Sequence, residues 1–180
     1  MKKALIFTLI LILTLGGVWG QTRVEKRILK EEIAKKEYLK IKKIMDTKAF
    51  LVFVNRVTPS GGASLNLSRE GYYLNFKKDS VNTVLPYFGV LYSSNGYGTG
   101  GGITFKNLAE NAKIEYDDIK KRIRFRFSSI NLGERLEFDI LVFKNGEANI
   151  MVGSIYRTAI YYSGKLFKIN EKINDFSVPE

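Results

Sequence analysis

The regular alternation of apolar and charged side chains in the second half of the chain is the feature that most constrains the fold. Apolar residues occupy every second position in three segments, at residues 113–117, 122–127 and 136–142. This spacing is typical of β-strands that bury one face and expose the other to solvent. The second half of the chain is therefore predicted to be an antiparallel meander.

The apolar and the charged residues of these segments agree on how the strands pair. In the first hairpin, placing Glu115 opposite Arg124 also aligns the apolar residues on the other face. In the second hairpin, pairing Phe125 with Phe138 has the same effect. Opposite charges on neighbouring strands stabilise a sheet, and a slip of one residue would expose the apolar face. The two hairpins are thus predicted to share one buried face.

Further strands are predicted on both sides of this meander. Residues 49–57 carry apolar side chains on both faces, which is typical of a central or covered strand. Residues 145–146, Asn-Gly, predict a type I′ hairpin turn, and residues 163–165 predict the turn of a last hairpin. Short strands at 72–76 and 103–105 bring the count to eight to ten. The predicted class is mainly β (α+β), an antiparallel meander in a curled or barrel-like sheet with one N-terminal helix.

Residues 23–46 contain neither glycine nor proline and are rich in charged residues, which predicts an α-helix. Four of its apolar residues fall on one face about 60° wide, namely Ala34, Tyr38, Ile41 and Met45. This face is expected to dock on the sheet, while the N-terminal turns stay half-exposed. The lysines leave a second interpretation open, in which the basic amphipathic helix lies on an anionic membrane surface or an envelope protein.

The first twenty residues have the organisation of a signal peptide. Lys2 and Lys3 precede an uncharged run at residues 4–20, and small or tolerated residues at its end predict cleavage after Gly20. An uncleaved inner-membrane anchor is the alternative, because about 17 apolar residues can already span a bilayer. The protein is therefore predicted to be exported to the periplasm. The predicted organisation is a signal peptide at 1–20, a basic amphipathic helix at 21–47, a single β domain at 48–170 and a loose C-terminal tail at 171–180.

The charge of the chain bears on its partners. With 29 basic and 18 acidic residues the net charge is +11, and there is no cysteine to form a disulfide bond. Strongly basic proteins often bind nucleic acid, but export argues against that partner here. Anionic lipid head groups and acidic glycans are the expected partners, and the alternative is that the charge only keeps the protein soluble.

Residues able to carry out catalysis are scarce. The chain has no histidine and no cysteine, which excludes the usual catalytic triads and metal sites built on those ligands. Glu137 and Asp139 share a strand face, but the predicted register sets an arginine beside each of them. The glycine run at residues 96–102 lacks the Lys-Ser or Lys-Thr ending of a phosphate loop. A non-enzymatic protein with no catalytic residue, no metal and no cofactor is predicted.

The stretch at residues 84–105 is the most irregular part of the chain and the best candidate for a ligand site. It combines aromatic residues with one proline and six glycines. Tyrosine offers a large apolar face and a polar tip, which suits the recognition of lipids, sugars or peptides. The alternative is that these rings fill the core. The candidate ligand-binding residues are Tyr87, Phe88, Tyr92, Tyr97, Arg56 and Arg157, with the two arginines as anchors for an acidic group. The expected ligand is a small lipophilic molecule or an acidic glycan.

Several motifs occur in a fixed order along the chain. They are LPYFG at 85–89, Tyr92, GGITF at 101–105, KNGEANIMV at 144–152 and RTAIYYSGKL at 157–166. Together they resemble the exported Bacteroidetes family called domain of unknown function 4251, over about residues 48–167. The resemblance implies a secreted or periplasmic single domain and no particular activity. Val90 departs from the family, which has a basic residue there more often.

Overall fold

The computed structural model describes residues 18–67, 71–92 and 102–169, with side chains of the helix described from residue 23. In this part of the chain, one helix, α1 (Val18–Asp46), precedes ten strands. The strands are β1 (Ala49–Pro59), β2 (Leu65–Asn66), β3 (Tyr73–Lys77), β4 (Ser80–Pro86), β5 (Gly102–Leu108), β6 (Glu110–Asp117), β7 (Arg122–Asn131), β8 (Glu134–Phe143), β9 (Glu147–Ser154) and β10 (Arg157–Lys168). The predicted fold class, mainly β with one N-terminal helix, is confirmed.

All ten strands belong to one antiparallel sheet that curls into a half-barrel. The strand order is β5-β4-β3-β1-β10-β9-β8-β7-β6, with β2 paired to β1. The end of β5 lies close to β7, and polar side chains form hydrogen bonds across this contact. Ser129 Oγ of β7 donates to Leu108 O of β5 at 2.8 Å. Asn107 Nδ2 of β5 donates to Ile130 O at the same distance.

Phenylalanine side chains fill the concave side of the sheet. Phe50 of β1, Phe76 of β3 and Phe125 of β7 are fully buried, and Phe76 meets Phe125 edge to face with ring centroids 4.7 Å apart. Phe127 stacks on Phe138 at the same centroid distance. Such ring pairs contribute about 0.5–1.5 kcal/mol each beyond the area they bury. With no cysteine in the chain, this aromatic core takes the place of disulfide bonds.

Helix α1 docks on the sheet through the face that the sequence predicts. Ala34, Tyr38, Ile41 and Met45 are buried. Tyr38 Oη also donates a hydrogen bond of 2.6 Å to Asp118 in the turn between β6 and β7. The apolar residues of the N-terminal turns are exposed, as expected. No helix in the described part of the chain is long and apolar enough to cross a membrane.

The predicted register is right for β6 with β7 and wrong for β7 with β8. Glu115 pairs with Arg124 as expected, but Phe125 pairs with Ile140 and not with Phe138. A slip of two residues keeps every side chain on its own face, so the apolar pattern cannot detect it. The turn decides the register, because Leu132 and Gly133 both have positive φ angles (50° and 83°), as a two-residue type I′ turn requires.

The hairpin at Asn145-Gly146 exists, but its predicted turn type is wrong. In a type I′ turn both residues have positive φ, whereas here Gly146 (φ 80°) has a positive φ and Asn145 does not. Gly146 N donates to Phe143 O at 2.9 Å, which makes a three-residue loop with a bulged glycine. Asn145 Oδ1 accepts a bond of 3.1 Å from Glu147 N and so fixes the loop.

The predicted last hairpin around residues 163–165 is also wrong, because β10 runs without interruption from Arg157 to Lys168. Gly164 lies opposite Val54, where the register of β1 shifts by one residue. A Cβ atom at Gly164 would overlap the backbone oxygen of Phe53. Glycine is therefore needed here for the close approach of two strands and not for a turn.

Candidate functional site

The described parts of the predicted site stretch, residues 84–92 and 102–105, are more regular than their sequence indicates. The first residues of the stretch complete β4 and its last residues belong to β5. Between them, residues 87–92 run beside the start of β10. Tyr92 N donates to Tyr156 O at 2.8 Å, and Thr158 N donates to Val90 O at 3.0 Å. The backbone of this segment is thus held in place by ladder-like hydrogen bonds.

The buried side chain of Tyr87 contacts the backbone of residues 87–92 from the core side. Its ring is buried, and its hydroxyl group lies 3.0 Å from Val90 O and 3.1 Å from Thr158 O. Val90 N in turn donates to Thr158 Oγ1 at 3.0 Å. A Cβ atom at Gly89 would overlap both Tyr87 Oη and Thr158 Oγ1, so only glycine fits between them. Tyr87 therefore supports the segment and is not displayed on it.

Arg157 supports the same segment from the side. Its Nε donates to Glu134 Oε1 at 2.7 Å, and the two side chains are largely buried, with exposed fractions of 15% and 14%. The guanidinium carbon lies 5.0 Å from the centroid of the Tyr87 ring, within cation–π distance. Glu134 neutralises Arg157, so Arg157 does not offer a free positive charge to an acidic ligand.

Above these supports the chain displays a cluster of exposed apolar side chains, which we call the apolar tip. Its members are Phe88, Val90, Leu91 and Tyr92 from the segment before residue 93, and Ile155 and Tyr156 from the turn between β9 and β10. Phe88 is 50% exposed and Tyr92 67%. Single exposed apolar residues are common, but six of them on two segments whose backbones are hydrogen-bonded to each other are typical of an interaction surface.

The structure thus brings four of the predicted residues together in two roles. Tyr87 and Arg157 are supports, while Phe88 and Tyr92 are exposed at the tip. Arg56 is exposed on β1, and its described contact is a hydrogen bond of 3.2 Å to Asn66 of β2. Tyr97 lies outside the described residues.

A shallow cavity on the outer face of β6 and β7 is occupied by paired charges. Arg122 Nε lies 3.1 Å from Asp117 Oδ2, and Arg124 Nε lies 2.8 Å from Asp139 Oδ1. The backbone N–H of Lys120 lowers the pKa of Asp117, and burial raises the pKa of Tyr116 to about 12. These shifts come from hydrogen bonds within the fold and from burial. Among the described residues, no group of carboxylates is placed to hold a metal ion.

A second concave region lies on the outer face of β1, β3, β4 and β5 and was not predicted. It measures about 510 Å³, and ten of the residues that the structure describes line it. They are Leu51, Phe53, Tyr73, Asn75, Lys77, Lys78, Ser80, Asn82, Lys106 and Ile169. We call it the outer groove. The sequence signal that could have found it is the alternation of Tyr73, Asn75 and Lys77, which puts polar side chains on the face of β3 opposite the core.

Comparison with known proteins gives a family without an assigned activity. A search of curated proteins finds no match. A crystal structure of a DUF4251 family protein from Bacteroides eggerthii DSM 20697 is similar, with a TM-score of 0.58 and 14% identity. The match covers 76% of this chain and 88% of that chain, and at this identity it shows a shared fold. The family model Domain of unknown function (DUF4251) matches residues 32–166, three quarters of the chain, and the chain therefore belongs to this family.

Proposed function

We propose that this protein is a non-enzymatic binding or accessory domain of the cell envelope, and that it recognises a lipophilic group through the apolar tip. The observation that carries the proposal is that the side chains of the apolar tip are exposed while the backbone beneath them is held by hydrogen bonds. Phe88 and Tyr92 are exposed, yet the backbone of Val90 and Tyr92 is hydrogen-bonded to Thr158 and Tyr156, and the buried Tyr87 contacts the segment from beneath. A surface that is already ordered loses little conformational entropy when it binds.

The chemistry of the tip favours a lipophilic ligand over a charged one. Its six members contribute apolar surface, and the two tyrosines add hydroxyl groups that suit the border of an apolar ligand with water. Arg157, the nearest cation among the supports, is paired with Glu134. An acidic glycan would find no free positive charge among these residues, whereas an acyl chain or a similar group would cover exposed apolar area worth about 25 cal/mol per Å².

Export to the periplasm is part of the proposal. It rests on the signal-peptide organisation of residues 1–20. An envelope location would bring the apolar tip close to lipids and lipid-linked molecules. The test is fractionation of the producing cells, where a protein in the cytoplasmic fraction with residues 1–20 retained would contradict export.

Binding at the tip can be tested with dodecylphosphocholine below its micellar concentration, followed by isothermal titration calorimetry. The double variant Phe88→Ser, Tyr92→Ser should lose most of the affinity. Because both side chains are exposed, each substitution should change the free energy of unfolding by no more than about 0.5 kcal/mol. Ile119→Ser is the matched control, since Ile119 is 91% exposed in the turn between β6 and β7, away from the tip.

Unchanged affinity in the double variant would refute the tip as the binding surface. A loss of several kcal/mol of stability would show instead that the two rings belong to the core.

The N-terminal half of α1 supports a second candidate function, docking on an anionic surface or an envelope protein. Val24, Ile28, Leu29 and Ile33 are exposed among basic residues, and the buried face begins only at Ala34. The exposed apolar residues spread over about half of the helix circumference at 100° per residue, which weakens the case for a flat membrane contact. The variant Lys26→Glu, Lys30→Glu should lose co-sedimentation with anionic vesicles if this candidate is correct, and unchanged sedimentation would exclude it.

A further inference from the structure

The outer groove is built by the register of four strands. Leu51, Asn75, Asn82 and Lys106 are paired in sequence across β1, β3, β4 and β5, so their side chains form one row on the outer face. Neighbouring residues on each strand point into the core, as alternation requires. Four separate segments of the chain thus contribute to one continuous surface.

Two polar atoms in the groove are buried without a hydrogen-bond partner. They are Tyr73 Oη and Asn75 Oδ1, and among the described residues no other buried side-chain nitrogen or oxygen lacks a partner. Tyr73 is only 6% exposed. Nearly all buried polar groups in folded proteins are hydrogen-bonded, because an unpaired one carries the full cost of its desolvation. Tyr73 and Asn75 lie two positions apart on the same face of β3, so one ligand bound along this face could supply partners for both atoms.

The rim of the groove is positively charged. Lys77, Lys78 and Lys106 line it, and no acidic residue is found among its described lining residues. None of these lysines takes part in an ion pair with another described residue, in contrast to the arginines of β7, which are paired with carboxylates. Three uncompensated cations around one concavity favour an anion.

The inner part of the groove is apolar. Leu51 and Phe53 of β1 line it beside the ring of Tyr73. Its volume of about 510 Å³ is within the range of small-molecule sites, about 300–1,000 Å³. Aromatic and apolar surface next to amide and hydroxyl groups is suited to a sugar ring, which has a carbon face and a rim of hydroxyl groups that both donate and accept.

We propose that the outer groove binds an acidic saccharide, that is, a sugar carrying a carboxylate or a phosphate group. The anionic group lies between Lys77, Lys78 and Lys106. One sugar hydroxyl donates to Asn75 Oδ1, and another sugar oxygen accepts from Tyr73 Oη. This site faces away from the core and lies towards the Ser80 end of β4, whereas the apolar tip follows the Pro86 end, so the two proposals are independent.

Isothermal titration calorimetry with three probes tests the site and the source of its anion. Digalacturonate carries carboxylates, glucose 6-phosphate carries a phosphate, and maltose is uncharged. At least one acidic probe should bind, and maltose should bind at least about tenfold more weakly, as expected for the loss of charge-assisted hydrogen bonds. Preference for digalacturonate would assign a uronic-acid ligand, and preference for glucose 6-phosphate a sugar phosphate. Absence of binding by both acidic probes, or equal binding of maltose, would overturn the proposal.

Two variants locate the binding. Lys106→Met and Tyr73→Phe should each weaken the affinity for the preferred acidic probe about five- to tenfold, since each removes one hydrogen bond to the ligand. Lys144→Met removes an exposed lysine from the loop between β8 and β9 and should leave the affinity unchanged. If Lys144→Met weakens binding as much as Lys106→Met, the interaction reflects net charge, and the groove is not the site.

Discussion

The hydroxyl group of Tyr73 should destabilise the ligand-free protein, and the substitution Tyr73→Phe tests this directly. The ring stays in place, and only an oxygen that is buried without a partner is removed. An unsatisfied buried donor costs about 1–3 kcal/mol, so its removal should raise the free energy of unfolding by up to that amount. In a chain of this length, each kcal/mol corresponds to a rise in melting temperature of roughly 2–4 °C.

Tyr162→Phe is the matched control, because it makes the same chemical change at a satisfied hydroxyl. Tyr162 is 1% exposed, and its Oη donates to Pro86 O at 2.8 Å. Its loss breaks a buried hydrogen bond, so the free energy of unfolding should fall by about 0.5–1.5 kcal/mol.

The two variants should therefore shift urea or thermal unfolding in opposite directions, as followed by circular dichroism. If Tyr73→Phe destabilises the protein as much as Tyr162→Phe does, the Tyr73 hydroxyl has a partner. The argument for an incomplete binding groove would then fail.

Three further predictions follow from the packing and the charges. Met45→Ala should lower the free energy of unfolding by about 2–5 kcal/mol, since Met45 is fully buried between α1 and the sheet, and a loss below 1 kcal/mol would mean that the helix is not firmly docked. Gly89→Ala should disturb the apolar tip, because a Cβ atom at this position overlaps Tyr87 Oη. Amide hydrogen exchange should become faster in residues 87–92, and an unchanged exchange rate would contradict the role of Gly89. The hydrogen bond from Tyr38 lowers the pKa of Asp118 below its usual 3.8. The stabilising contact is therefore present above about pH 4 and is lost as the pH falls through the lowered pKa. Asp118→Asn should flatten the dependence of melting temperature on pH in this acidic range, and an unchanged profile would show that other carboxylates control it.

The elements whose burial follows a simple period could be predicted from the sequence. Helical spacing alone aligns Ala34 and Met45 on the docking face, and both are buried. The pairing of Glu115 with Arg124 followed from charge and alternation together. The register of β7 with β8 could not be predicted in the same way, because a slip of two residues preserves every face and only the backbone conformation at Leu132-Gly133 distinguishes the two pairings.

The site was harder to predict than the fold because its roles depend on contacts between distant segments. Tyr87 and Tyr92 have the same side chain and lie five residues apart, yet one is buried and the other exposed. What separates them is Thr158, 71 residues further along the chain, whose carbonyl and hydroxyl groups meet the Tyr87 hydroxyl. The outer groove was missed for a similar reason, since its row of side chains exists only after four strands have paired.

Mapping the surface that contacts dodecylphosphocholine is the most direct test of the central claim. In a titration followed by amide chemical shifts in the full-length protein, the largest changes should fall on residues 88–92 and on Ile155 and Tyr156. The residues of the outer groove should change little, since the probe carries no net charge. Shifts concentrated on the exposed turns of α1, or no saturable shifts at all, would contradict recognition of a lipophilic group by the apolar tip.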